Sequence, residues 1–242
     1  MFENKYVLIS GSSRGIGAAT ARIVRRQNGT PILHGRTLSP QLQAIGDELG
    51  CPMIAFDAVD RTAVSDGLAA LASDVPRLDA VVNCVGGISP KAITALMPDD
   101  LLGDYSANLV TVANLCLASI PYLAERGRIV NVASIRGMTA APSARASAYS
   151  ASKAAVVNFS IALAKELAPD IIVNVVSPGM TVTDMAESWS DAVWTQAASS
   201  LVGRAADAAE IAEVVAFLAS QRAAYVVGQN VCVDGGYLIA AK

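Results

Sequence analysis

The chain has 242 residues, of which 53% are hydrophobic and only 16% charged, with a net charge of −3. The mild acidity excludes the basic footprint of a nucleic-acid-binding protein. So apolar a composition suits a sheet buried on both faces, or a chain that hides further surface in an oligomer.

The first ten residues, MFENKYVLIS, do not read as a secretory signal, because an acid and a lysine precede a short apolar run. No window reaches about 18 uninterrupted apolar residues, so no membrane span is expected. The four cysteines, Cys51, Cys84, Cys116 and Cys232, are far apart and without a C-x-x-C pair. They read as reduced, mostly buried thiols of a cytoplasmic protein. His34 is the only histidine. That removes any mechanism needing two histidines and leaves no expected metal site.

Strand-length apolar runs alternate with helical patterns along the whole chain. Strands are expected at 5–10, 31–35, 51–57, 78–86, 127–134, 171–177 and 229–236. Helices are expected at about 15–28, at 40–49 with Ser39 as N-cap and Pro40 at the first turn, and around 60–74, 99–124, 145–168 and 207–220. Continuous Val/Ile/Leu strands alternating with helices predict an α/β fold. Its core would be one doubly wound parallel sheet of about seven strands, Rossmann-type, with helices on both faces. No linker or repeat interrupts the pattern, so residues 1–242 read as a single domain. Residues 180–206 are the least regular stretch and read as a mobile lid.

Ser10-Gly11-Ser12-Ser13-Arg14-Gly15-Ile16-Gly17 follows the first strand and opens the first helix. Glycines there permit a tight turn, close backbone approach and close helix packing, so a pyrophosphate can rest on the helix N-terminus. A glycine-rich turn without a ligand is the alternative. At the end of the second strand, where an NAD site places an acid, the sequence reads His34-Gly35-Arg36, and no acid occurs between Ala18 and Gly46. Arg36 and Arg14 could instead hold a 2′-phosphate through forked, charge-assisted hydrogen bonds, so NADP (NADPH) is the expected cofactor. Tyr149-Ser150-Ala151-Ser152-Lys153 places a tyrosine and a lysine four apart, on one face of a helix. Alone the pair has two readings: an ordinary core tyrosine with its hydroxyl at the rim, or an acid held beside a cation.

Several motifs in order decide between them. SGSSRGIG (10–17), Asp57, NCVG (83–86), Asn108, NVAS (131–134), YSASK (149–153), SPGMTVTDM (177–185) and VDGGY (233–237) together resemble the short-chain dehydrogenase/reductase family. The resemblance covers essentially the whole chain and by overall pattern runs toward the 3-oxoacyl-thioester (acyl-carrier-protein) reductases. It implies that Gly11, Ser13, Arg14, Gly15, Ile16 and Gly17 form the cofactor turn, and that Asp57 lies beside the adenine. Asn83 and Gly86 would support the adenosine ribose and the central sheet. Pro178, Gly179, Thr181 and Thr183 would be cofactor contacts at the nicotinamide end. Asn108, Ser134, Tyr149 and Lys153 would be catalytic, with Tyr149 and Lys153 also touching the cofactor. Lys153 would lower the Tyr149 pKa, letting the phenol protonate a ketone oxygen while NADPH delivers hydride. The departures are Ser10 for the usual Thr, and Cys84-Val85 within NCVG for Asn-Ala.

The expected substrate is a small-molecule ketone, either a 3-oxoacyl thioester or a ketone of a specialised pathway. Arg126 and Arg128 could form a basic patch for an acidic carrier, but Asp170 places an acid in that region. Met180, Met185, Trp189 and Trp194 point to an apolar substrate or to lid packing. A non-catalytic NADP-binding sensor is the alternative outside enzymes. Neither nucleic acid nor a membrane is an expected partner, and the chain is expected to form a homotetramer or homodimer.

Overall fold

The computed structural model describes residues 1–184, 186 and 189–240. Strands β1 (Tyr6–Ser10), β2 (Thr30–Gly35), β3 (Met53–Ala55), β4 (Leu78–Asn83), β5 (Leu123–Val132) and β6 (Ile171–Pro178) follow one another along the chain. A short two-stranded ladder, β7 (Thr181–Val182) with β8 (Ala206–Asp207), comes next, and β9 (Asn230–Val233) closes the series. The main sheet has seven strands in the order β3-β2-β1-β4-β5-β6-β9, every neighbouring pair parallel. The helices are α1 (Gly15–Arg26), α2 (Pro40–Leu49), α3 (Arg61–Leu71), α4 (Pro98–Tyr105), α5 (Thr111–Ser119), α6 (Ser147–Leu167), α7 (Asp191–Ala197) and α8 (Ala208–Ala219).

Parallel neighbours need crossovers, and the crossovers put a layer on each face. Successive strand residues point to opposite faces. Val7 and Ile9 pack with Ala18, Ile23, Leu42, Ile211 and Val215 of α1, α2 and α8. Leu8, between them, packs with Val64, Leu68, Leu115 and Val156 of α3, α5 and α6. The chain builds outward from β1 to β3 and then crosses back to β4. Neighbouring loops therefore diverge at the C-terminal ends of β1 and β4 and open a crevice.

The sheet interior carries a polar seam. Ser10 Oγ donates to Asn83 Oδ1 at 3.2 Å, and Asn83 Nδ2 donates to Asn131 Oδ1 at 2.8 Å. Asn131 Nδ2 donates to Ser160 Oγ at 2.8 Å, and that hydroxyl donates to the Val156 carbonyl at 2.7 Å. All four side chains are buried, and each finds the partner that burial demands. The seam ties β1, β4, β5 and α6 into one register.

Four expectations are corrected. The helix expected at 99–124 is divided: a π-turn at Ser106–Val110 separates α4 from α5, and β5 begins already at Leu123. The cause lies in Asn108, whose Nδ2 donates to the Asp104 carbonyl four residues back, at 2.8 Å. The segment expected to be irregular holds α7 and the β7–β8 ladder. Arg128 is no docking residue. It is 2% exposed, and its Nε, Nη1 and Nη2 donate to Ser220 O, Arg126 O and Gln221 Oε1. Only Cys116 of the four free cysteines is fully buried; the others are half-buried.

By length and composition one helical stretch, Pro98–Tyr122, could cross a membrane. It carries Asp99, Asp100 and Asp104, and its inner face holds Val112, Leu115 and Cys116 in the core.

Candidate active site

Glycines let the chain draw the crevice tight. Gly11 has φ +66°, and a Cβ there would sit 2.9 Å from the Cys84 carbonyl oxygen. A Cβ on Gly17 would run into the Gly11 carbonyl, so only a glycine lets α1 start this close to the turn. Arg14 is the N-cap of α1 but gives no side-chain cap, and the first turn holds no acid. The amides there remain available to an anion. Ser12, overlooked in the sequence, fastens the turn to β2: its Oγ accepts from the His34 amide at 2.9 Å. His34 is buried, its Nε2 lies 3.0 Å from the Phe56 carbonyl, and desolvation lowers it to about 4.

The other expected cofactor residues divide by position. Arg36 is exposed just past β2 and has no acid within salt-bridge distance among the described residues. Arg14 lies 3.7 Å from Asp184, both well exposed, a pairing too open to fix either group. Asp57 is exposed after β3 and accepts from the Val59 amide at 3.0 Å. Thr183 lies over the glycine turn, its methyl 3.2 Å from where a Gly15 Cβ would be. Ser13 and Ile16 are half-buried within the turn. Two residues are turned inward. The Asn83 side chain is spent in the polar seam, so it serves the sheet. Thr181 Oγ1 donates to the Gly179 carbonyl at 3.1 Å, beside buried Pro178. Gly179 itself is pressed on Asp234, whose Cα would be 2.7 Å from an added Cβ.

Asn108, Ser134, Tyr149 and Lys153 converge beside this turn. A Cβ on Gly86 would sit 2.6 Å from Asn108 Oδ1 and 3.0 Å from Lys153 Nζ, so both polar atoms crowd one bare stretch of backbone. Asn108 is held by the Gly87 amide at 3.1 Å and the Gly87 carbonyl at 2.9 Å. Lys153 Nζ donates to the Val132 carbonyl at 3.0 Å and lies 6.0 Å from the centroid of the Tyr149 ring. Ser134 ends the segment after β5, and its Oγ accepts from the Arg136 amide at 3.1 Å. Gly137 brings that segment onto α6: a Cβ there would be 2.7 Å from the Lys153 carbonyl carbon and the Ala154 nitrogen. Gly137 carries no motif and was not singled out in the sequence.

Electrostatics follow from enclosure. Desolvation drops Lys153 to about 8, the Cys84 thiol acting the other way. Desolvation also pushes the Cys84 thiol up to about 12, against the pull of Lys153. Burial raises the Tyr149 phenol, while Ser134 and Arg136 act to lower it and Asp104 adds to the rise. The expected depression of Tyr149 by Lys153 is therefore corrected. The ammonium is directed to the Val132 carbonyl, and desolvation outweighs every neighbour. Asp104 is itself buried, its Oδ2 has no hydrogen-bond partner among the described residues, and desolvation raises it.

Two cavities share Tyr237 in their walls, and neither is lined by Asn108, Ser134, Tyr149 or Lys153. One of about 320 Å³ is lined by Arg136, Ala140, Pro142, Ser143, Gln196 and Tyr237. It lies between the segment carrying Ser134 and the loop leading into Tyr149. The second, about 190 Å³, lies under the 180–206 segment against Met180, Val202, Val233 and Tyr237. Trp189 and Trp194 pack edge to face, centroids 4.9 Å apart, which accounts for them as packing of that segment. Met185 lies outside the described residues.

Residues 11–238 match the family model described as Enoyl-(Acyl carrier protein) reductase. The 3-oxoacyl-[acyl-carrier-protein] reductase of Escherichia coli is 35% identical over 97% of this chain and 98% of its own. The chain belongs to the short-chain dehydrogenase/reductase family. It is an oxidoreductase by that membership. A 7alpha-hydroxysteroid dehydrogenase of Bacteroides fragilis is 32% identical, covering 98% of this chain and 96% of its own. A short-chain dehydrogenase of Burkholderia cenocepacia, solved in complex with NADP, superimposes with a TM-score of 0.90 at 30% identity, over 98% of each chain.

The buried lysine gives a stability test. Its folded pKa of about 8 lies below the ordinary 10.5. Between those values the unfolded chain holds a proton that the folded chain has released, so this contribution to stability rises with pH across the window. At pH 7 the buried ammonium costs stability. Lys153→Met should therefore raise the unfolding free energy of the ligand-free protein at pH 7, by about 3 kcal/mol at most. The gain should shrink toward pH 10. Urea unfolding at both pH values checks this, and a variant less stable than wild type at pH 7 contradicts it.

Proposed function

We propose that this protein uses NADPH to reduce a ketone to a secondary alcohol, with Tyr149 as the general acid. The observation that carries the reading is the convergence of Asn108, Ser134, Tyr149 and Lys153 beside an uncapped helix N-terminus. The residues fit the cofactor: the Gly11–Gly17 turn leaves room for a pyrophosphate, and Arg36 stands free for a 2′-phosphate. The Burkholderia relative's NADP supports the same assignment. When bound, NADPH supplies a hydride, with its electron pair, to the carbonyl carbon.

The chain's own groups handle the oxygen. Ser134 donates a hydrogen bond to it, and the Tyr149 hydroxyl gives it a proton. The phenol's raised pKa keeps that proton in place at neutral pH, and a forming alkoxide is a stronger base than a phenolate. Lys153, held on the Val132 carbonyl, keeps its Nζ 6.0 Å from the centre of the Tyr149 ring, and Asn108 holds the Gly87 backbone. One ketone, one NADPH and one proton become one alcohol and one NADP.

Residues 180–206 serve as the substrate lid of a single domain. The relatives' names span a carrier-bound thioester and a steroid at nearly equal identity, and the buried Arg128 removes half of the expected carrier-docking patch. These observations favour a small or specialised ketone over a carrier-bound one. The assembly is a cytoplasmic homotetramer, supported by the apolar surface of Leu101, Leu102, Leu117 and Phe217 on α4, α5 and α8, with Val110 of the π-turn beside them.

Three measurements test these statements. NADPH oxidation on a ketone panel including acetoacetyl-CoA should occur with wild type and fall by at least about 100-fold in Tyr149→Phe; an undiminished rate refutes the general acid. Arg36→Glu should weaken NADPH binding far more than NADH binding, and equal losses would show that Arg36 does not read the 2′-phosphate. Light scattering should give a multiple of 24.9 kDa; the mass of one chain refutes the oligomer.

A further inference from the structure

Two arginines in this molecule are treated in opposite ways. Arg128 has all three guanidinium nitrogens engaged by protein acceptors. Arg136 is half-buried, and its guanidinium makes a single long hydrogen bond, Nη1 to the Ala141 carbonyl at 3.5 Å. Its carbon lies 5.5 Å over the Tyr237 ring, and Gln196 Nε2 holds the Tyr237 hydroxyl at 2.8 Å. The side chain is thus propped in place with most of its five donors uncommitted. No carboxylate lies within salt-bridge distance of it among the described residues, whereas Arg22, Arg26 and Arg204 on the surface each have a glutamate. The cavity it faces, about 320 Å³, has no acid among its lining residues. The Arg136 amide donates to Ser134 Oγ at 3.1 Å, and the Arg136 charge acts on the Tyr149 phenol, so the arginine lies near both groups expected to hold the ketone oxygen.

We propose that Arg136 binds a carboxylate of the substrate, so that the ketone reduced here is an oxo acid. This rests on the ketone-reductase reading. A planar guanidinium meets a carboxylate through two parallel hydrogen bonds. The ring of Tyr237 lies 5.5 Å from its central carbon and supports the cation without taking up its N–H donors. The substrate lies between two anchors, its ketone at Ser134 and Tyr149 and its carboxylate at Arg136.

The test compares acetoacetate and levulinate with their methyl esters, in wild type, Arg136→Gln and Arg136→Lys. Wild type should prefer the acids. Arg136→Gln should lower kcat/KM for the preferred acid by at least about 30-fold, chiefly through KM. The ester should change by less than about threefold, and Arg136→Lys should recover part of the loss. Unchanged NADPH affinity and melting temperature show that the variants fold. Equal losses on acid and ester overturn the proposal and leave Arg136 positioning Ser134. A wild type that reduces esters but not acids also overturns it, with the reductase reading intact. Acetonylphosphonate outcompeting both acids replaces the carboxylate by a phosphoryl group. With no turnover on any ketone, acid binding followed by calorimetry still decides: binding lost in Arg136→Gln upholds the anion site while the reductase reading falls, and binding indifferent to Arg136, or absent, sinks the proposal.

Discussion

Lys153 reaches from α6 to the Val132 carbonyl at the end of β5, and its surroundings let an enclosed cation exist without a carboxylate partner. Burial disfavours the ammonium, and a neutral carbonyl repays only part of that cost. The rest of the site is arranged around this group. Gly86 withholds a side chain so that Nζ and the Asn108 oxygen can crowd its backbone, and Gly137 lets the Ser134 segment rest directly on α6. A Cβ at either position would force apart the elements that carry the polar groups. The polar seam of Asn83, Asn131 and Ser160 fixes the same strands and helix from within the sheet.

Much of this is legible in the residues because it follows from periodicity and chain order. Seven apolar runs separated by helical patterns specify the parallel sheet, and Ser39-Pro40 marks the start of α2 in the position observed, with Ser39 Oγ accepting from the Leu42 amide. Tyr149 and Lys153 share a helix face by spacing alone. What escapes is what depends on distant partners. Gly137 and Ser12 show their purpose only once α6 and β2 lie beside them. Arg136 is one more basic residue until Tyr237, about a hundred positions later, comes under it.

The corrected expectations share a cause. Arg128 reads as a surface charge because arginines generally are, yet its strand runs beneath the Ser220–Gln221 segment, which supplies acceptors. Tyr149 reads as acidified because a lysine is near in sequence, yet enclosure acts on both groups together, raising one and lowering the other. The π-turn at Asn108 breaks a helix that composition would continue, because a side-chain amide takes a main-chain carbonyl. In each case a local rule yields to burial, through the hydrogen bonds it demands of Arg128 and Asn108 or the desolvation it imposes on Tyr149.

The β7–β8 ladder has a consequence for how this scaffold can change. Thr181 pairs with Ala206 and Val182 with Asp207, so the segment between them leaves and re-enters the body of the protein at one fixed point. Loop closure is met by the ladder, independently of what the loop contains. Length and composition between Thr183 and Ala205 can therefore drift with little penalty to the sheet, while the entry point beside Gly15 stays put. The segment is clipped at one point of the frame, so the sheet and the glycine turn can stay as they are while its length and sequence change.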